Sequence, residues 1–322
     1  VVIVTYSGKK WLSACLKSIL KQDYHNIEII IVDNASPDKI GEFIKKKFRG
    51  IKVIIRHVND GLGSALNAGV NKSTGKYVMV GNEDMELAPK YVSELVGIME
   101  TNPAIGCTQG LVYDYYDRNR IQSCGVMFSI TGRLKSAENI HPEIYANNGI
   151  FIKKSDIKSY PVFSVKGPAF LIRKDVFEKI GGFDADYFLY FEEVDLCWRI
   201  NLAGYRVKVT PKCKLFHVGA GSTTGSAYEF FYMHSLKNQL TTYAKNSPPL
   251  KLLVSLIIQL FISLGSIIIF LARGNIRLAF ANAAGWFELV KNIGKTIGKW
   301  IKILRVHKQP EFIANLLDFM RP

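Results

Sequence analysis

The sequence has no Cys-x-x-Cys pair, no G-x-G-x-x-G fingerprint and no internal repeat. Without repeats, solenoid and propeller architectures are excluded. Five cysteines, an odd number, sit singly in apolar runs at 15, 107, 124, 197 and 213. They read as reduced core thiols of a cytosolic protein, not a disulfide framework. Charged residues are modest at 21% against 48% hydrophobic, so a large core is available and global disorder is excluded. No basic stretch leads into an apolar run with a small-residue cleavage site, so no signal peptide is legible. The first residues, VVIVTYSG, read as a strand already under way, and the expectation is that only a few residues precede them. Acids are scarce in one region: from Arg273 to Lys308 eight basic residues face a single acid, Glu288. The net charge of +15 is therefore partly a property of the tail, and it asks for an anionic partner.

The first hundred residues do have a rhythm. Short apolar runs over 1–5, 27–32, 53–56 and 77–80 alternate with helical spacing over 11–21, 40–47 and 62–72. This predicts an α/β fold with a mainly parallel sheet covered by helices on both faces. In such sheets ligands bind beyond the carboxyl ends of the strands. The rule points to TYSG at 5–8, DNAS at 33–36 and GNED at 81–84. Residues 104–160 are less regular, with short strands expected and a mobile loop around 133–160. From 161 the pattern tightens into strand, helix and turn, then a helix from about 192 and a strand ending near His217.

Several residues at these places carry chemistry. Asp33 can accept hydrogen bonds from a ribose or base, or cap the next helix. NDGLGSALNAG, 59–69, sets Gly61 at a helix start where backbone N–H groups could meet phosphate. Asn82 and Asp84 offer oxygen ligands suited to Mg²⁺ or Mn²⁺ carried with a diphosphate, or form a polar turn. His217 is a metal ligand or a packed imidazole. The stretch FLYFEEVDLCWR, 188–199, sets Glu192, Glu193 and Asp195 among aromatics. With a helix beginning near Glu192, Asp195 and Arg199 form an i, i+4 pair. A carboxylate in that first turn is favoured by the helix dipole and disfavoured by desolvation, which makes a base of intermediate strength.

Taken in order, VVIVTYSG, IEIIIVDNASPD, NDGLGSALNAG, GKYVMVGNEDMELAP, LIRKDVFEKIGGFD, FLYFEEVDLCWRINLAGY and FHVGAGST resemble the family-2 inverting glycosyltransferases, in their rhamnosyltransferase-like branch. The resemblance covers about 1–225. It implies a GT-A fold, Rossmann-like, that binds a nucleotide-diphospho-sugar and a divalent metal. Thr5 and Asp33 match the family's nucleotide contacts, with Tyr6 and Gly61 in the same ligand turns. Asn82-Glu83-Asp84 matches the DxD-type position, with Asn82 in place of the first Asp, so metal binding rests on Asp84 and His217. Glu193 stands where the family usually has Asp, as the catalytic base, with Glu192 as the second candidate. The implied reaction is a single in-line displacement by an acceptor hydroxyl.

The composition changes near Pro248-Pro249. Residues 252–272 form an uncharged run long enough to cross a hydrocarbon core of ~30 Å. A helix lying in the interface or packed on the main domain is the plainer reading. The basic amphipathic stretch after it favours an anionic membrane surface. The expected organisation is a catalytic domain over 1–230, with a nucleotide-sugar half to about 103 and an acceptor half beyond it. A helical membrane-associated region follows over 231–322, at the cytoplasmic face of the cell membrane. The acceptor expected from the tail is a glycan, free or polyprenyl-linked, and no nucleic-acid role is expected. The rivals are a membrane-bound scaffold that has lost catalysis and a nucleotidyltransferase. The first would have lost Asp33, Asp84 or the acidic cluster, and the second would leave the acidic cluster unused.

Overall fold

The computed structural model describes residues 1–128, 134–136, 159–219 and 228–306. In chain order the elements begin β1 (Val2–Thr5), α1 (Lys9–Leu20), β2 (Ile30–Asp33), α2 (Ile40–Lys47), β3 (Lys52–Ile55), α3 (Leu62–Asn71) and β4 (Tyr77–Asn82). Next come β5 (Met85–Leu87), α4 (Tyr91–Thr101), β6 (Ile105–Asp114), β7 (Ile121–Ser123), β8 (Val126–Phe128), β9 (Leu134–Ser136) and β10 (Tyr160–Pro161). The chain continues with β11 (Ala169–Arg173), α5 (Lys174–Lys179), α6 (Glu192–Leu202) and β12 (Arg206–His217). It closes, among the described residues, with α7 (Tyr228–Asn246), α8 (Pro249–Ala272), α9 (Ile276–Lys291) and α10 (Ile293–Val306).

The sheet runs β10-β12-β6-β11-β4-β1-β2-β3, with β5 paired to β12 and β7 to β6. β1 is parallel to β2 and β4, and β2 to β3. Alternation sorts their side chains: Val2, Val4, Ile30 and Val32 enter one core with α3 and α6, while Ile3 and Ile31 enter the other with α1, α2 and α4. Burying both faces explains why these strands read as unbroken apolar runs.

Two expectations need correction. The sheet is mixed rather than mainly parallel, because β11 runs antiparallel to both β4 and β6. A strand buried on both faces looks the same in either direction, so its sequence does not carry the sign. The stretch after 104 also opens with a long regular strand: β6 has ten residues, all buried. Gly106, Thr108, Gln109 and Gly110 broke its apolar pattern. Gln109 fits because its amide donates to the carbonyls of Lys166 and Ala169 and accepts from Lys166 N–H. Most of the loop expected over 133–160 lies outside the described residues.

The five cysteines are buried and unbridged. α8 is inside-out: its buried residues are Ser255, Gln259 and Ser263, while Leu253, Phe261 and Ile268 face outward. Trp286 of α9 donates to Ser263 Oγ at 2.9 Å. Among the described residues α8 is the one helix long and apolar enough to cross a membrane.

Candidate active site

The carboxyl ends of β1, β2 and β4 lie side by side, with Thr5 opposite Asp33 and Val4 opposite Asn82. Thr5 is fully buried, and its hydroxyl meets no partner among the described residues. Asp33 is buried too. It accepts from Ser36 N–H and Gly41 N–H, both at 2.9 Å, which shapes the loop after β2 and leaves a lone pair on each oxygen. Tyr6 is half exposed, and its N–H points at Glu83 Oε1, 3.4 Å away.

The turn before α3 differs from expectation. Gly61 N–H donates to Asn59 Oδ1 and Leu62 N–H to the Phe188 carbonyl, so these first amides are occupied and do not face an open phosphate site. Gly61 serves close approach instead. Its φ is 107°, and a Cβ there would lie 2.6 Å from Phe188 Cα. The turn thereby fixes the segment leading into α6.

At the end of β4, Asn82 N–H donates to the Pro168 carbonyl at 3.0 Å. Glu83 sits beside Gly8, and burial, with a smaller push from Asp84, raises its pKa to about 7. Asp84 and His217, from β12, come together: Nε2 to Oδ1 is 3.5 Å. Val218 N–H donates to the Asp84 carbonyl and holds the two strand ends in register. His217 Nδ1 lies 3.0 Å from Gln122 Oε1. The Gln122 amide nitrogen donates to the His217 carbonyl and to Asp114, which fixes Oε1 as the atom facing the ring. Nδ1 then donates to Gln122, and Nε2 faces the Asp84 carboxylate. Two electron-rich groups so placed fit a cation between them, with a polar partner orienting the imidazole from behind. Among the described residues no group of three or more His, Cys, Asp or Glu surrounds a metal-sized space. A hard divalent ion held by these two residues alone would need further oxygen ligands from outside the protein.

α6 begins at Glu192, so Glu192, Glu193 and Asp195 all fall in its first turn. Asp195 is structural. Its carboxylate takes Arg199 on one oxygen at 2.7 Å, and Lys245 and Asn246 of α7 on the other. Burial works against its charge, but Arg199 and Lys245 hold its pKa down. Glu192 is buried, with Oε2 unpartnered among the described residues. Desolvation first, then the neighbouring Glu193, pushes its pKa to about 8. Glu193 is partly exposed. Burial raises its pKa, and the Lys166 charge opposes that rise. A Cβ built on Gly167 would lie 4.0 Å from Glu193 Oε1. The 166–168 segment therefore joins the two halves of the site, with Pro168 at Asn82 and Gly167 at Glu193. Lys166 and Gln122 were not singled out from the sequence. Each lies far along the chain from the group it serves, and no local motif marks either.

Residues 1–181 match the profile of Glycosyl transferase family 2. An uncharacterized protein of Sinorhizobium fredii is 31% identical over 67% of the chain and 24% of its own length. The N-acetylglucosaminyl-diphospho-decaprenol L-rhamnosyltransferase of Mycobacterium tuberculosis is 26% identical over 69% of the chain and 76% of its own. The poly-beta-1,6-N-acetyl-D-glucosamine synthase of Staphylococcus epidermidis is 27% identical over 66% of the chain and 47% of its own. The chain thus spans about a quarter of the first relative and about half of the third. Among solved structures, GalNAc-T7 with UDP, GalNAc and Mn²⁺ aligns over 76% of the chain and 47% of its own at TM-score 0.58 and 18% identity. The mannosyltransferase PcManGT of Pyrobaculum calidifontis, with GDP-Man and Mn²⁺, aligns over 99% and 84% at TM-score 0.53 and 15% identity. With more than half of its residues inside the family profile, the chain belongs to glycosyl transferase family 2 and has the GT-A fold.

Proposed function

We propose that the protein transfers a sugar, with inversion, from a nucleotide-diphospho-sugar to a glycan hydroxyl. The observation that carries this reading is that the 166–168 segment touches both acidic groups' surroundings, with Pro168 bonded to Asn82, two residues before the Asp84–His217 pair, and Gly167 beside Glu193. Thr5, Tyr6 and Asp33 line the end of the sheet where the nucleotide would lie. Asp84 and His217 would hold a divalent cation, which supplies charge neutralisation to the departing diphosphate.

Glu193 is the base. It is the more exposed of the two acids, and it takes the proton of the acceptor hydroxyl as that oxygen attacks the anomeric carbon. Glu192, with its pKa near 8, keeps a proton at neutral pH. A protonated Glu192 places no like charge beside Glu193, so it adds no repulsion that would raise the base further. Lys166 favours the ionised form of Glu193.

The inside-out α8 supports a membrane address, and with it a polyprenyl-diphosphate-linked acceptor of the kind named for the mycobacterial relative. The testing experiment is donor cleavage across a panel of nucleotide-sugars, with Mn²⁺ or EDTA, by wild type and Glu193→Gln. Metal-dependent turnover of one donor, lowered roughly 10²–10⁴-fold in the variant, is expected.

A further inference from the structure

α6 is entered through two consecutive residues in the left-handed region, Tyr190 (φ 70°) and Phe191 (φ 66°). Neither is glycine, asparagine or aspartate, so the conformation persists only where its surroundings enforce it. The two acids follow immediately.

The enforcing contact comes from α7. Asn238, fully buried, donates one amide hydrogen to the Leu189 carbonyl and the other to the Tyr190 carbonyl, both at 2.8 Å. That orientation is dictated by the site, since an amide oxygen turned toward two carbonyls would find no donor. The Asn238 oxygen itself has no partner among the described residues. A mid-helix asparagine gains α7 nothing in helix propensity, and its two hydrogens are spent on a neighbouring segment. One and two turns further on, Thr242 bonds the Tyr187 hydroxyl at 2.8 Å, and Lys245 and Asn246 hold Asp195. These grip side chains, whereas Asn238 grips the backbone of the left-handed entry.

We propose that Asn238 is a positioning residue, which locks the 189–191 backbone so that Glu192 and Glu193 enter α6 aimed at the cleft. The effect on catalysis rests on the reading of Glu193 as base. The effect on the backbone does not.

The test takes the full chain as wild type, Asn238→Ala, Asn238→Asp and, as a control on the same helix, Thr242→Val. Donor turnover with Mn²⁺, donor Kd by calorimetry, thermal unfolding and hydrogen exchange of the 189–195 amides are read for each. Asn238→Ala and Asn238→Asp are expected to lower kcat roughly 10–100-fold, to leave donor Kd within about twofold, and to speed exchange at 189–195. Thr242→Val is expected to keep kcat within about threefold. Unchanged kcat in folded Asn238 variants overturns the proposal, as does a loss in all three variants that merely follows stability. If neither Asn238 variant folds, the role is structural and the proposal falls. If the wild type cleaves no donor, the proposed function fails instead. Exchange at 189–195 then decides alone, with unaltered exchange in the Asn238 variants overturning the positioning role.

Discussion

At the residue scale, the two adjacent acids show how burial divides labour between like groups. Glu192 is buried, with one oxygen unpartnered among the described residues, while Glu193 is partly exposed beside Gly167. The folded state holds the Glu192 proton more tightly than the unfolded chain does, with a pKa near 8 against the ordinary carboxylate range. Its contribution to stability is therefore complete below about pH 4 and lost as the pH rises through 8. Glu192→Gln has no such proton to lose. Its Tm relative to wild type should climb between about pH 5 and 8 and then level off, each kcal/mol showing as about 2–4 °C. A difference that stays flat with pH in thermal scans would contradict this account. Much of the residue-level picture was legible in the sequence. Asp84, just beyond β4, and His217, which ends β12, lie together, and Asp195 pairs with Arg199. Gln122 and Asn238 were not legible, since what they do depends on partners up to 95 residues away.

At the scale of elements, the start of α6 was readable because three acids in one first turn are a helix-dipole signal. The direction of β11 was not, because pairing partners rather than composition decide it. The tie between α6 and α7 was equally hidden. Lys245, almost fully buried, bridges Asp195 of α6 to Asp184, and Asp184 is also held by Lys299 of α10. Removing one member of such a network leaves a buried charge uncompensated. Lys245→Met should cost about 3–5 kcal/mol in urea unfolding, and adding Asp184→Asn should recover part of it. A single variant within about 0.5 kcal/mol of wild type would show that the network contributes little.

At the scale of the whole molecule, α8 turns large apolar side chains outward and a polar stripe inward, and α9 adds exposed phenylalanines beside it. Outward-facing Leu253, Phe261 and Ile268 on α8 and Phe280 and Phe287 on α9 are more than half exposed. Water is a poor solvent for such a face, and hydrocarbon a good one. Lys302 of α10 is exposed and would sit near anionic headgroups, while Lys295 and Lys299 pair with Asp186 and Asp184. The chain should float with anionic vesicles in a density gradient, and Phe261→Lys with Ile268→Lys should leave it in the load fraction. Equal flotation of the double variant would place membrane contact elsewhere. The apolar run and the basic stretch after it announced this region. The polar stripe Ser255, Gln259 and Ser263, which turns the helix inside-out, gains its meaning only once α9 is seen beside it.

Whether Glu193 drives a single displacement is decided by the donor-cleavage panel read by NMR, where the anomer first released is seen before it mutarotates. One preferred donor, dependence on Mn²⁺, an inverted anomer and a large loss in Glu193→Gln are expected. Release with retention, or undiminished turnover by Glu193→Gln, would contradict Glu193 as the base of a single displacement. Failure of any donor to bind, with or without metal, would contradict the transferase reading itself.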